Sequence, residues 1–376
     1  MSYYMLPKNI NDIIIKPFLY DDVRKDTNKE INKPYMSYSL THYCDVLKQQ
    51  IEHLYTYQEK KEDKKNEDEI TMLCNITNSH SYIYTPITGK DITISNLDIK
   101  NDLFYDVLEL LFYLNIKDCI KDSNTTHIGY FTNHFLDLKE CFNIYLNHSS
   151  TCYSNEYIIH NHLFSVNNQY ISSEDFDVGF FQITNDVRDL FKILLIIMKQ
   201  QTHKGNTIIQ TNHINNRIII DLIYLLSSLY EKVYICKPST SNLLNNSKYI
   251  VCKSFIKKQE HLDANINILY SCLNYIDSID TMDNMEIEPH FQSILNYIIP
   301  YYFQNKINEI NIIIGQQQLE IMEQIISIYK SKNKNEKIEL LIKHNIQNSI
   351  HWCEKHKIPY AKTFDKSNNI FHQQQI

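Results

Sequence analysis

Glycine is the conspicuous shortage. The 376 residues hold five, Gly89, Gly129, Gly179, Gly205 and Gly315, where average usage of about 7% would give about 26. Neither G-x-G-x-x-G nor G-x-x-x-x-G-K-[ST] can be written with those positions, which excludes the glycine-rich loops that cradle phosphates. Tryptophan occurs once, at Trp352, and the nine cysteines include no C-x-x-C pair. An odd count without that spacing argues against a disulfide framework and for reduced thiols in a cytosol-like compartment. The opening residues, MSYYMLPKNIND, lack the apolar stretch of a secretory signal. The longest apolar runs, such as ILLIIM at 193–198, are far shorter than a membrane span. The expectation is a soluble protein of the cytoplasm, not secreted and without a membrane partner.

Against the one tryptophan stand 28 tyrosines and 16 phenylalanines, and hydrophobic residues make up 43% of the chain. That is enough for a packed core rather than disorder. Asn, Ile, Lys and Tyr are over-used while Ala and Gly are scarce, the signature of AT-rich codons. A formal net charge of −7 denies the chain a general attraction to polyanions, so a nucleic-acid site has to be a local patch.

Hydrophobic periodicity predicts a helix at 40–58, then the charged run EKKEDKKNEDE at 59–69 and a strand at 69–76. Residues 101–116 form an apolar helix opened by Asn101 or Asp102 as N-cap. A short buried strand at 126–131 feeds a helix at 133–147. From 176 to 255 strands and helices alternate. FDVGFFQI leads to a helix capped by Asn185, a stop at His203-Lys204-Gly205 leads to NTIIQT, and an apolar helix at 214–231 leads to KVYICK. The loop PSTSNLLNNS then precedes the strand KYIVCKSF. Such alternation predicts βαβ units and a mostly parallel sheet covered on both faces. The closing strand, reached by a loop, is expected to insert antiparallel. Residues 257–361 read as helices at 257–279, 289–303, 305–332 and 335–357.

The segment 205–255 carries a resemblance. A strand after Gly205, a long helix, then VYICKPSTS and NNSKYIVCK resemble the distal half of FtsJ-like RNA ribose 2′-O-methyltransferases, especially those of large nucleocytoplasmic DNA viruses. SIHWCEKHKIP at 349–359 resembles the ends of the same viral proteins. The likeness covers 176–255 well and 100–361 loosely. It implies an α/β, Rossmann-like S-adenosylmethionine methyltransferase fold at 70–265, after an N-terminal segment at 1–69 and before a helical C-terminal region at 266–376.

The resemblance also implies a Lys-Asp-Lys-Glu tetrad, in which a lysine of lowered pKa takes the proton of a ribose hydroxyl. Carried over position by position, the central lysine falls on Gln210, the glutamate on Ser247, the aspartate on Asp177 or Asp175, and the first lysine on Asp106. Gly129 marks the cofactor turn, with Asp175 as a second cofactor-binding candidate. Lys237, Ser239, Ser241 and Lys248 are the RNA-binding candidates, because that loop borders the substrate groove in the family; Asn242 stands where the family has Arg. A glutamine amide takes no proton near pH 7, and Gly129 is one glycine where relatives have two or three. The expected function is therefore a degenerate family member, an RNA-binding or scaffolding subunit of a viral capping or transcription assembly. Capped mRNA and a protein of that assembly are its expected partners. The eroded turn disfavours S-adenosylmethionine, and no metal is expected. Two alternatives stay open: an active methyltransferase with relocated residues, Lys248 or Lys204 among them, and a structural virion protein.

Other constellations carry less. His160-Asn161-His162 lacks a Cys or carboxylate at ligand spacing, and Ser149-Ser150 beside His148 lacks a nucleophile elbow. Cys236 and Cys252 are expected as buried thiols on neighbouring strands. Lys232, Lys237, Lys248, Lys253, Lys257 and Lys258, with Tyr234 and Tyr249, would suit a nucleic-acid backbone if they lined one rim.

Overall fold

A computed structural model of the chain describes residues 2–19, 37–59, 64–88, 90–115, 125–132, 135–147, 156–161, 175–183, 186–212, 214–256, 262–280, 291–295 and 298–361. In chain order its elements begin with β1 (Ser2–Met5), β2 (Phe18–Leu19), α1 (Tyr38–Glu59), α2 (Lys64–Ile76) and α3 (Asp102–Leu114). Then come β3 (Thr125–Phe131), α4 (Phe135–Asn147), β4 (Glu156–Asn161), β5 (Phe176–Gln182), α5 (Val187–Gln200), β6 (Gln201–Thr211) and α6 (Arg217–Leu229). The last are β7 (Tyr230–Lys237), β8 (Lys248–Phe255), α7 (Asp263–Asp280), β9 (Phe291–Ser293), α8 (Tyr301–Lys330) and α9 (Lys334–Lys355).

Three short polar side chains start the most deeply buried helices. Asn101, Asp186 and Asn216 accept from the backbone N–H of Leu103, Arg188 and Ile218, amides that the first turn leaves without a helical partner. The cap of α5 is thus Asp186; Asn185, the expected cap, lies outside the described residues. The main sheet runs β1-β7-β8-β6-β5-β3-β4. Strands β4, β3, β5 and β6 are parallel, and β8 pairs antiparallel with both β6 and β7. A loop of ten residues, 238–247, joins β7 to β8, too short for a crossover, so the two strands can only run antiparallel. The seven residues of β5 are buried except Gln182, which is half-buried. They show no alternation because helices cover both faces.

One core packs α5, α6, α7 and the first half of α8 on one face, with Phe303, Ile307, Ile310 and Ile314 from α8. On the other lie α1 to α4, α9 and the second half of α8, with Met322, Ile325, Ile326 and Ile328. Helix α8 passes between the two faces across the carboxyl edge of the sheet. There Asn311 Nδ2 donates to Ile214 O beyond β6 at 3.2 Å, and Gln318 Nε2 donates to Asn246 Oδ1 in the β7–β8 loop at 3.1 Å. The arrangement is the expected α/β, Rossmann-like fold with a helical C-terminal region, and β8 inserts antiparallel as anticipated.

Several expectations need correction. Residues 69–76 are helical, within α2, because Ile70, Leu73 and Ile76 are buried at a spacing of three rather than two. No helix spans 289–303: Phe291–Ser293 pairs with β2, and α8 starts after Pro300. The expected domain boundaries at 69/70 and 265/266 fall inside α2 and α7. Strand β6 follows α5 directly, with the positive φ of 67° at Lys204 and not at Gly205. Strands β1 and β4 had no counterpart in the periodicity.

Gly129 and Gly179 face each other across β3 and β5. Over them lie the rings of Phe131 and Phe181, stacked at 4.4 Å, with Phe176 edge-on to both. A Cβ at Gly179 would sit 2.6 Å from Phe176 Cε2 and 2.7 Å from Phe181 Cε2. Gly179→Ala should therefore destabilise by about 1–3 kcal/mol, as overpacking of a filled core does. Denaturant unfolding of the full chain measures it, and an unchanged midpoint would contradict the packing argument.

Candidate functional site

Strand β3 has β4 on one side and β5 on the other, which makes the carboxyl ends of β3 and β5 the topological switch point where open α/β sheets bind ligands. Side chains of one face line up there. Thr132 Oγ1 donates to Gln182 Oε1 at 3.1 Å, Gln182 pairs in register with Gln210, and Gln210 with Tyr249. Tyr249 in turn donates its hydroxyl to Asp106 Oδ2 at 3.0 Å. Within this row Gln210 Oε1 is buried and has no hydrogen-bond partner among the described residues. Such an acceptor costs about 1–3 kcal/mol.

The structure brings some of the predicted site residues to this edge and not others. Gln210 is the last residue but one of β6, and Ser247 immediately precedes β8, so both stand at the carboxyl edge. Asp177 does not join them. It lies at the opposite end of β5, five residues before Gln182, which at strand rise is about 16 Å away. There it is buried and accepts from His127 N and Thr202 Oγ1, tying β3 to β6. Asp175 is exposed at that same far end and has no route to the cofactor turn. The strand end holds Gln182 instead, a position the motif alignment overlooked. Gly129 sits inside β3, two residues before its last residue, Phe131, and a Cβ there would meet that ring at 2.9 Å. What the missing Cβ accommodates there is ring packing. Asp106 is fully buried on α3 and bonds to Thr240 Oγ1 at 2.6 Å as well as to Tyr249.

The expected RNA-binding loop is turned inward. Lys237 is 2% exposed, and its Nζ donates to Asn242 O, Asn245 O and Ser247 O at 3.0, 2.9 and 2.8 Å. Ser239 gives both its N–H and its hydroxyl to Glu109, while Thr240 gives its hydroxyl to Asp106. Glu109 also accepts from Trp352 Nε1 at 3.1 Å, so α9 is bound into the same knot. Ser241 is buried, and Lys248, also buried, donates to Asn246 O. None of the four presents a free polar head to a phosphate, which corrects their assignment. Nor does the wider basic set form a rim: Lys253 donates to Leu114 O and Tyr249 is fully buried, while 257 and 258 lie outside the described residues. Cys236 and Cys252 are buried on adjacent strands, as expected.

Burial pushes the Asp106 carboxyl up to about 7, opposed by the Thr240 hydrogen bond, and Asp102 raises it further. Burial lowers the ammonium of Lys237, against the pull of Asp106. Burial, with Lys237 and Lys48 nearby, lowers Lys248 to about 8. Glu109, Thr240 and Trp352 were missed from the sequence. Two acids three residues apart in the otherwise apolar run LFYDVLELLFYL were the available signal, since buried carboxylates require partners.

The model of the FtsJ-like methyltransferase family matches residues 163–255. A stretch of 69 residues is 35% identical to an uncharacterized protein of Acanthamoeba polyphaga mimivirus, covering 18% of this chain and 18% of that protein. Over 163–255 the chain is FtsJ-like, and the resemblance carried by 176–255 holds. The S-adenosylmethionine that such a fold implies is not well met by the described residues. Gly129 is taken up by phenylalanine packing, and the described ends of β3, β5 and β6 offer Thr132, Gln182 and Gln210 but no carboxylate.

Two outcomes follow. Lys237→Met should strip the three loop carbonyls of their donor and cost about 3 kcal/mol or more; unfolding midpoints and proteolysis within 238–247 report it, and an unchanged loop would refute the role. Asp106 has a folded pKa above its unfolded value, so its favourable contribution is complete below about 4 and lost as pH rises through about 7. The stability of Asp106→Asn relative to the natural chain should rise between those limits and level off above them. A pH-independent difference would contradict the burial argument.

Proposed function

We propose that this protein keeps an FtsJ-like fold without methyl transfer and serves as an RNA-associated scaffolding subunit of a viral capping or transcription assembly, in the cytoplasm or the virion. The observation that carries the reading is Gln210, an amide at the strand end where the family places its proton-accepting lysine. An amide cannot take the ribose proton. Two further features support it. Helix α8 lies over the loops that follow β6 and β7, and the loop that should border the substrate is fastened inside by Lys237 and Glu109. Titration of the full chain with S-adenosylmethionine should give no heat of binding, and incubation with capped RNA no methyl transfer. Binding of an RNA oligomer should weaken as salt is raised. Cofactor binding with turnover would overturn the reading.

A second reading has one observation in its favour. Lys248 is a buried amine brought down to about 8, in the range a general base needs, and it pairs across strands with Thr211 beside Gln210. On that reading methyl transfer is detectable and Lys248→Met abolishes it.

A further inference from the structure

The carboxyl edge of the sheet divides into two halves. Over β6, β8 and β7 it is closed by α8, through Asn311 and Gln318. Over β3, β5 and β6 it carries Thr132, Gln182 and Gln210, with both glutamines half-buried. The row is neutral. Its nearest ammonium groups, on Lys237 and Lys248, are held by loop carbonyls, and Asp106 is engaged by Tyr249 and Thr240. A phosphate would find no free cation here among the described residues. Gln210 Oε1 is nevertheless a buried acceptor left without a donor among the described residues, while Gln182 Oε1 and the Tyr249 hydroxyl in the same row are engaged. An acceptor of this kind, on an amide that also carries donors, complements a partner presenting a donor and an acceptor side by side. The edge of an unpaired nucleobase does so, and Gln pairs with adenine in just this bidentate manner.

We propose that Thr132, Gln182 and Gln210 form a subsite for the base edge of an unpaired RNA nucleotide, held by amide hydrogen bonds without reaction. This deepens the reading above and rests on its RNA component. The amides supply recognition in a position from which no proton can be removed, so occupancy leaves the nucleotide intact.

The test is calorimetric titration of the full chain with adenosine, cytidine, guanosine and uridine, and separately with inorganic phosphate, S-adenosylmethionine and a single-stranded RNA oligomer. At least one nucleoside should bind, and inorganic phosphate should not displace it. Gln210→Leu, similar in volume but without the acceptor, should weaken that nucleoside about tenfold, the worth of one hydrogen bond. Its unfolding midpoint should not fall, because the group removed has no partner to lose. Thr132→Val, which frees Gln182 from its donor, gives a second variant of nearly the same shape and should also alter nucleoside affinity. Equal affinity of the natural chain and Gln210→Leu would overturn the subsite. So would oligomer binding with no nucleoside binding, which leaves the RNA-associated reading standing. Binding of neither would remove both, and S-adenosylmethionine competing with the nucleoside would overturn the subsite together with the non-catalytic reading.

Discussion

The buried ammonium of Lys237 is the constraint on which the carboxyl edge depends. A cation removed from water is tolerated only where hydrogen bonds replace its hydration, and three carbonyls of one loop do that here. Winding the loop around the ammonium sets the rest. It delivers Ser239 and Thr240 to the two acids of α3, leaves Asn246 facing Gln318 of α8, and places Glu109 where Trp352 of α9 can donate to it. Sheet, α3, α8 and α9 are thus joined through one cation and two carboxylates. Networks of this kind hold firmly when every member is satisfied and poorly when one is missing. Gln210 Oε1, two strands from Lys237 and without a partner among the described residues, is conspicuous beside it.

Much of the α/β part was legible because its signals are local. Asn101 before an apolar run, the unbroken FDVGFFQ, and a ten-residue loop ahead of KYIVCKSF each declare a cap, a doubly covered strand and an antiparallel return. The rest depends on pairing between distant residues. Ser2–Met5 is too short and mixed to show as a strand, and becomes one only because the far edge of β7 is there to pair with. The helix at 64–76 was hidden by its charged first half, where apolar spacing cannot be read. At the site, Gln210 and Ser247 lie at the carboxyl edge of the sheet. Asp177 lies at the other end of its strand, since a motif match says which strand a residue occupies but not which end. The inward turn of Lys237 was illegible for a related reason, because its partners are carbonyls, which every residue possesses.

The glycine shortage also acquires a specific meaning. Of the glycines in the sheet, Gly129 and Gly179 make a flat floor under three phenylalanine rings, and Gly205 lets β6 approach the carbonyl of Asp177, 2.8 Å from where a Cβ would lie. These glycines serve packing between protein groups. A chain with so few has placed them where aromatic rings and backbone press together.

The position of β8 has a kinetic consequence. It lies between β6 and β7 and comes after both in the chain, so neither of those strands can settle against a neighbour on that side until residue 255 has been made. The outer edge waits in the other direction: Ser2–Met5 is made long before β7 and must remain uncommitted until Lys237 appears. During synthesis the parallel half, β4 to β6, is available early, whereas the half bearing the Lys237 knot closes late and all at once. Contacts of such long sequence separation slow folding, and they leave a nascent chain with exposed strand edges in the region its most deeply buried charges will later occupy.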